Sequence, residues 1–228
     1  MRDCYLPAAV SNLSIIVPIG PGDAAWRGLV PALAGALPDA EIVCVASRKE
    51  DLPEAGCRTL LAARSRAAQQ NAGARAATRE RLWFLHADSR LAPRTLDAAR
   101  ADSGDDAIRW FDLHFLRDGP ALCALNAIGA RLRSRWLALP FGDQGLLVPR
   151  AVFARLGGFD ESLPLGEDLD FVRRARAAGV PLRAAGAPLY TSARRYAEHG
   201  WLRTTWRNAR LTVSLSRAAD RRIRQARA

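Results

Sequence analysis

Short apolar runs that alternate with segments of helical spacing constrain the fold of this chain most strongly. The first run covers residues 13–18 and the second covers residues 41–46, and between them Trp26, Leu29 and Leu33 recur at helical spacing. Continuous apolar runs are typical of strands that are buried on both faces of a parallel sheet. A strand–helix–strand unit of this kind is almost always right-handed. We therefore predict an α/β fold with a mostly parallel central sheet and flanking helices.

The same criteria predict the remaining elements. Strands are expected at residues 57–61, 82–85, 108–115, 146–148 and 182–185, and helices at residues 24–37, 67–77, 93–101, 151–156 and 169–178. A further helix within residues 120–139 has one apolar face, which comprises Leu122, Leu125, Ile128, Leu132 and Trp136. Arginine-rich amphipathic helices are expected from residue 200 to residue 224. We predict a single domain over residues 1–228, in which residues 192–228 form a helical, basic C-terminal extension.

The apolar run at residues 82–85 ends abruptly in a polar tip that carries His86 and Asp88. In open α/β sheets, ligands bind beyond the carboxyl ends of the strands. A carboxylate at such a tip is well placed to hold a divalent cation, because hard cations take oxygen ligands. Asp is equally common as a turn residue before a helix, and Pro93 opens one here. This tip alone is therefore explained as well by capping as by metal binding.

Three acidic residues, Glu167, Asp168 and Asp170, occur within four positions where a predicted helix begins. Acidic side chains are favoured in a first helical turn because of the helix dipole. Three of them exceed what that interaction requires, and neighbouring carboxylates shift the pKa of one another toward values useful for proton transfer. We therefore consider a general base at this position in preference to simple capping.

The net charge of +11 indicates a basic surface, and Lys49 is the only lysine. Such a surface attracts phosphates, nucleic acid or anionic lipid without discriminating among them. Nucleic-acid binding is disfavoured because the arginines are dispersed and are not interleaved with aromatic residues on one element. The arginine-rich C-terminal face is compatible with peripheral contact to anionic lipid, but a solvated face or a dimer interface explains it equally well.

The cysteines and the apolar segments bear on location. The four cysteines are scattered without the close pairs that zinc sites use, which indicates a reducing compartment. The apolar stretch at residues 13–19 is too short for a signal peptide and is broken by Pro18. No segment approaches the ~20 apolar residues that a spanning helix needs. We expect a cytoplasmic protein, either soluble or at the inner face of the membrane.

Several short motifs occur in an order that spans nearly the whole chain. They lie at residues 14–18, 66–74, 84–91, 142–146, 157–168 and 191–195. In order and spacing they resemble family 2 glycosyltransferases of the GT-A fold, and more narrowly the subgroup described as radical-SAM/selenodomain-associated transferase 2. The resemblance implies transfer of a sugar from a nucleotide-diphosphate sugar to the hydroxyl of an unknown acceptor, with inversion. A lipid-linked acceptor would suit the basic C-terminal face.

The resemblance also assigns roles to individual residues. Asp88 would ligate Mn²⁺ or Mg²⁺ bridging the diphosphate, with His86 standing where many relatives have Asp. Asp168 corresponds to the catalytic base, and Glu167 would orient it or contact the donor. The remaining donor-binding positions are Pro18, Arg66, Gln69 and Asn71, and contacts to the acceptor or the diphosphate are expected from Asp143, Gln144, Arg195 and His199.

Two departures from the family pattern concern the nucleotide end of the donor pocket. Relatives carry an Asn-Glu-type pair after the first strand, where this chain has Pro21 and Gly22. They also carry an Asp at the tip of the second strand, where residues 46–50 read Ala-Ser-Arg-Lys-Glu. These losses motivate an alternative, a non-catalytic or degenerate sugar-nucleotide-binding protein on the same scaffold.

Overall fold

The computed structural model describes residues 12–101 and 104–225 of the 228-residue chain, and an eight-stranded sheet forms its centre. The strands are β1 (Leu13–Ile19), β2 (Glu41–Ala46), β3 (Arg58–Leu61), β4 (Arg81–Phe84), β5 (Arg90–Leu91), β6 (Ile108–Phe115), β7 (Leu147–Pro149) and β8 (Leu182–Thr191). The helices are α1 (Trp26–Ala36), α2 (Arg66–Ala76), α3 (Pro93–Arg100), α4 (Cys123–Leu137), α5 (Arg150–Arg155), α6 (Glu167–Ala177), α7 (Arg194–His199) and α8 (Trp201–Gln225). Cys4 and residues 226–228 of the predicted extension lie outside the described residues.

The strand order is β3-β2-β1-β4-β7-β6-β8-β5. The first four strands of this order are all parallel, as expected for strands joined through helices. β7 runs antiparallel to both β4 and β6, and the short β5 is antiparallel to β8. The predicted mostly parallel α/β sheet is therefore present, with its antiparallel pairings confined to the second half.

Two apolar layers cover the sheet, one on each face. Alternate residues of β1 point to opposite layers, so that Ile15 and Val17 contact the α1 and α3 side whereas Ile16 packs with α2, α5 and α6. The α2 helix lies very close to β1, because a β-carbon added to Gly73 would be only 2.5 Å from Ile16 Cγ2. Continuous burial on both faces explains why these strands read as unbroken apolar runs.

Several elements differ from the sequence prediction, among them the unpredicted β5, the end of β8 and the apolar face of α4. β8 was predicted to end at residue 185 but extends to Thr191. Gly186 adopts a positive φ of 70°, and the register with β6 shifts at this irregularity. The pairing with β6 then resumes beyond it. The apolar face of α4 points outward, although such a face normally contacts the core. Its members are all exposed, with Trp136 at 80%: Leu122, Leu125, Ile128, Leu132 and Trp136. The buried residues of this helix are small ones such as Ala127 and Ala130.

The long C-terminal helix α8 is held against α6 by ion pairs. Asp170, which is only 3% exposed, accepts hydrogen bonds from Arg174 at 2.7 Å and from Arg222 of α8 at 2.8 Å. Arg173 of α6 pairs in the same way with Asp220. Asp170 therefore stabilises the packing of α8 against α6. Within the described part of the chain, no helix is both long and apolar enough to cross a bilayer.

Candidate active site

A polar cavity of about 530 Å³ opens beyond the carboxyl ends of β1 and β4. These strands are parallel neighbours, so the loops that follow them meet at the same edge of the sheet. The far walls come from the loop before α6, from α7 and from α8. Eight of the predicted site residues line the cavity, namely Pro18, Arg66, Gln69, His86, Asp88, Asp143, Asp168 and Arg195.

Asp88 lies half-buried in the turn after β4, close to a second carboxylate from the turn after β1, Asp23. Burial raises the pKa of Asp88, and the negative charge of Asp23 raises it further, whereas Arg194 and Arg195 act in the opposite direction. Asp23 also accepts a hydrogen bond from the Ala25 amide at 2.9 Å, and its carboxylate lies 4.0 Å from Arg194. Two carboxylates and two guanidinium groups thus share one end of the cavity.

His86 presents a neutral imidazole to the cavity. Burial, reinforced by the positive charges of Arg66 and Arg195, lowers its pKa to about 3. Its Nε2 atom has no hydrogen-bond partner among the residues that the structure describes. A neutral imidazole nitrogen is a good ligand or hydrogen-bonding group, but this atom is buried, so a bound molecule would reach it only after neighbouring groups had moved.

Asp168 lies in the first turn of α6 and reaches the same point as His86. Its Oδ2 atom accepts a hydrogen bond from the Gly142 amide at 2.5 Å, and its Oδ1 atom accepts one from Leu169 at 2.7 Å. A β-carbon added to Gly142 would lie 2.9 Å from Asp168 Oδ2 and 3.2 Å from His86 Nε2. Residues some eighty positions apart in the chain therefore converge within a few ångströms.

Two further acidic residues are held in raised-pKa states beside Asp168. Burial raises the pKa of Asp143 to about 6, although the nearby Arg133 opposes the shift. Burial, together with the charge of Asp168, also raises the pKa of Glu167. Glu167 is 3% exposed, lies behind the cavity wall and approaches Arg66 at 3.5 Å. A carboxyl group in a cleft with a raised pKa, as for Asp143, is typical of sites for proton transfer.

Other predicted residues lie away from the cavity. The side-chain amide of Asn71 is buried and exchanges hydrogen bonds with the backbone of Phe159, donating at 2.8 Å and accepting at 2.9 Å. Gln144 is fully buried, where its oxygen accepts from Ser134 at 2.7 Å and its nitrogen donates to Phe111 at 3.2 Å. His199 is exposed at the end of α7 and is absent from the described cavity lining.

Several lining residues were not predicted from the sequence. Asp23 is one of them, although the argument from strand ends that identified Asp88 applies to it equally. Arg194 also lines the cavity while 51% of its side chain remains exposed. Tyr196 and Asn208 join α7 to α8 through a hydrogen bond of 3.3 Å, and no local motif indicates their position.

The cavity meets the requirements of a divalent cation only in part. In the part of the chain that the structure describes, no three metal-ligating side chains come together. Asp88 supplies one carboxylate at the strand tip, whereas the unpartnered Nε2 of His86 is buried beside it. Mg²⁺ commonly binds through one or two carboxylates together with substrate phosphates and water. These residues therefore fit a cation that arrives with a diphosphate.

Comparison with known proteins identifies the fold. No protein-family model and no curated protein sequence matches the chain. The chain is similar to the mannosyltransferase PcManGT from Pyrobaculum calidifontis, with 17% identity, a TM-score of 0.56, and coverage of 83% of this chain and 59% of that chain. It is similar to S. aureus TarS 1–349, with 16% identity, a TM-score of 0.54, and coverage of 79% and 60%.

The catalytic domain of Drosophila beta1,4-galactosyltransferase 7 is a third similar structure, with 15% identity, a TM-score of 0.50, and coverage of 76% of this chain and 64% of that chain. The match thus spans less than two thirds of each of these neighbours. At such low identity the likeness concerns the fold. The predicted GT-A fold is confirmed: this chain has the fold of GT-A glycosyltransferases.

Proposed function

We propose that the protein is a metal-dependent, inverting glycosyltransferase of family 2 that moves a sugar from a nucleotide-diphosphate donor to an acceptor hydroxyl. The radical-SAM/selenodomain-associated subgroup remains the narrower assignment that we propose, with residues 1–228 acting as one domain. The single observation that supports the activity most directly is the convergence of Asp168 with the His86–Asp88 tip at Gly142. Together these groups offer a base and a carboxylate suited to a cation within one cavity.

In the proposed reaction, the acceptor hydroxyl attacks the anomeric carbon from the side opposite the diphosphate. The new carbon–oxygen bond forms as the bond between the anomeric carbon and the phosphate oxygen breaks, which inverts that carbon. The hydroxyl proton passes to Asp168, and the nucleoside diphosphate leaves with the bonding electron pair. The Gly142 amide fixes the orientation of the base through its hydrogen bond to Oδ2.

The other charged groups of the cavity would serve the donor. Asp88, with His86 beside it, would hold Mn²⁺ or Mg²⁺; when bound, the cation neutralises charge that develops on the departing diphosphate. Arg66, Arg194 and Arg195 line the cavity and would bind phosphate oxygens, for which guanidinium groups are well suited. Asp23 provides a carboxylate next to Pro21 and Gly22, which stand where relatives carry an Asn-Glu-type pair.

The structural neighbours offer precedents for such a donor. The structure of PcManGT is a complex with GDP-Man and Mn²⁺, and TarS has been solved in complex with UDP-GlcNAc. We therefore expect a nucleotide sugar and a divalent cation in this chain as well. A donor screen is needed to identify the nucleotide base and the sugar, because the turn after β2 departs from the family pattern.

We also propose that the protein works at the inner face of the cytoplasmic membrane. Exposed apolar side chains occur on α8 at residues 202, 206 and 213, among arginines such as Arg203, Arg207 and Arg210 that are exposed as well. Apolar side chains beside basic ones are typical of helices that lie on anionic lipid. The net charge of +11 has the sign that such a surface attracts.

A donor screen tests the proposal against the alternative of a non-catalytic sugar-nucleotide-binding protein. UDP-, GDP-, CDP- and TDP-sugars would be tested with Mn²⁺ or Mg²⁺ for hydrolysis or transfer, in the wild-type protein and in Asp168→Asn. We expect activity with one donor class and a loss of about 10²–10⁴-fold in the variant, the range typical of a general base. Inactivity of the wild type with every donor, together with nucleotide-induced thermal stabilisation, would favour the binding protein.

A further inference from the structure

The polar cavity of about 530 Å³ beyond β1 and β4 is called the donor cavity from here on. A second cavity, of about 470 Å³, adjoins it on the side of α4 and α8. Its apolar lining comes from β6, α4, α8 and the turn before α6: Leu113, Phe115, Leu125, Leu165, Leu211 and Leu215. The two cavities share Asp143 and Asp168 as lining residues. The proposed catalytic base therefore stands at the boundary between a charged compartment and an apolar one.

The polar side chains of the second cavity are largely occupied by one another. Asn126 of α4 donates to Thr205 at 3.0 Å and accepts from the indole of Trp201 at 2.6 Å. Asn208 donates to the hydroxyl of Tyr196. A molecule in this cavity would consequently meet mainly apolar surface, apart from the charged side chains that also line it: Arg66, Arg133, Asp143 and Asp168. A polar sugar acceptor would lose its hydration there without adequate replacement.

We propose that this cavity binds the acceptor, and that the acceptor is an amphiphilic alcohol with an apolar chain. The inference rests on the proposed glycosyl transfer and adds the class of its second substrate. The hydroxyl would lie at Asp168, and the chain would extend between α4 and α8. The volume falls within the range of about 300–1,000 Å³ that is typical of small-molecule sites.

The rim of the cavity is also apolar and open to solvent. Leu125 and Leu165 line it while remaining 55% and 44% exposed. An acceptor could thus enter either as a dissolved alcohol or from a bilayer that α8 contacts. Both sources bring an alcohol hydroxyl to Asp168. Transfer assays with dissolved decanol and with decanol in vesicles distinguish the two sources.

Chain-length dependence provides the test. Straight-chain primary alcohols from butanol to decanol would be titrated calorimetrically into the protein, with glycerol as the polar reference. Each added methylene contributes ~0.8 kcal/mol when buried, so we expect the dissociation constant to fall about fourfold per methylene until the cavity is filled. Equal affinities along the series, or preferential binding of glycerol, would overturn the proposal.

Gly129 of α4 allows the cavity to be filled from its wall. It lines the cavity, and a β-carbon added there meets no heavy atom within 4 Å. The Cβ of Gly129→Trp therefore fits without moving the backbone. Gly35 of α1 is equally unobstructed and distant from both cavities, which makes Gly35→Trp the matched control. We expect Gly129→Trp to weaken decanol binding at least tenfold, and Gly35→Trp to leave it unchanged. Leu125→Glu, at a largely exposed position, should weaken it similarly.

Nucleotide binding separates this proposal from the proposed function. If Gly129→Trp binds decanol as the wild type does, the acceptor proposal is wrong, even if nucleoside diphosphates still bind and donor hydrolysis persists. If the wild-type protein does not bind nucleoside diphosphates, the proposed function is contradicted instead. Transfer to decanol, either dissolved or in phosphatidylcholine vesicles, would support the proposal and identify the source. Absence of transfer from both, with a donor that the wild type hydrolyses, would overturn it.

Discussion

The two adjoining cavities are built by different parts of the fold and from different chemistry. The donor cavity is formed by turns that follow parallel strands and contains carboxylates, guanidinium groups and an imidazole. The second cavity is formed largely by α4 and α8 and is mainly apolar. Asp168 and Asp143 belong to both. Under the proposed function, the contrast would place reaction chemistry at the sheet edge and acceptor selection on helices, which differ readily among proteins of one fold.

The largest effect is expected at the charged end of the donor cavity. Asp88→Asn removes the carboxylate that would hold the cation, and metal stabilisation of a leaving group is worth several kcal/mol, so transfer should fall by about 10³-fold. Nucleotide-induced stabilisation in Mn²⁺ should diminish as well. Asp97→Asn, at an exposed position of α3, is the control. Full activity of Asp88→Asn would place the cation elsewhere and weaken the contrast between the cavities.

Gly142→Ala tests the boundary itself. The added β-carbon would lie 2.9 Å from Asp168 Oδ2, which is too close without displacement of the base. A misplacement of about 1 Å can cost on the order of 10²-fold in rate, and we expect a loss of that size in kcat with nucleotide affinity nearly unchanged. Gly35→Ala is the unobstructed control. If kcat is retained, Asp168 is not the base in this geometry.

Asp143→Asn should stabilise the protein at neutral pH while impairing transfer. The folded protein raises the pKa of Asp143 from 3.8 to about 6, so wild-type stability is lost as the pH rises between these values. Removing the buried charge should therefore add roughly 2 kcal/mol above pH 6, allowing for partial exposure, and raise Tm by about 4–8 °C. Thermal unfolding at pH 7.5 and pH 4 measures the difference, most of which should be lost at the lower pH. A variant that gains nothing at pH 7.5 would show that Asp143 is adequately solvated.

The smallest effect concerns the outer surface of α8. Trp206 is 68% exposed, so Trp206→Ser should leave folding within about 0.5 kcal/mol of the wild type. Its affinity for vesicles containing phosphatidylglycerol should fall roughly fivefold to tenfold, because an apolar side chain is withdrawn from the interface. Leu61→Ser, on the edge strand β3, is the exposed apolar control. Equal vesicle sedimentation of both variants would argue against a membrane-facing α8.

The difference between the cavities also explains what could be predicted from the sequence. The buried strands are unbroken apolar runs, so their positions and the polar tip at Asp88 follow from local pattern. Asp168 and Arg66 were identified through the family resemblance, and the structure brings both to one cavity. These features are local in sequence or are recognised through short motifs.

The apolar cavity depends on packing between distant elements and has no local signal. The spacing of Leu125 and Trp136 correctly indicated one face of α4, but only the packing of Ala127 and Ala130 inward shows that this face is exposed. In the same way, Asn71 and Gln144 belong to motifs but satisfy buried backbone groups. A polar side chain in a motif can serve either purpose, and the sequence does not distinguish them.

The clasp around Asp170 ties the position of Asp168 to a distant part of the chain. A carboxylate that is 3% exposed needs both guanidinium partners, and one of them, Arg222, comes from α8. Loss of Arg222 would leave an incompletely paired charge in the first turn of α6, two residues from Asp168. Damage to the far end of α8 would thus reach the cavity without touching it.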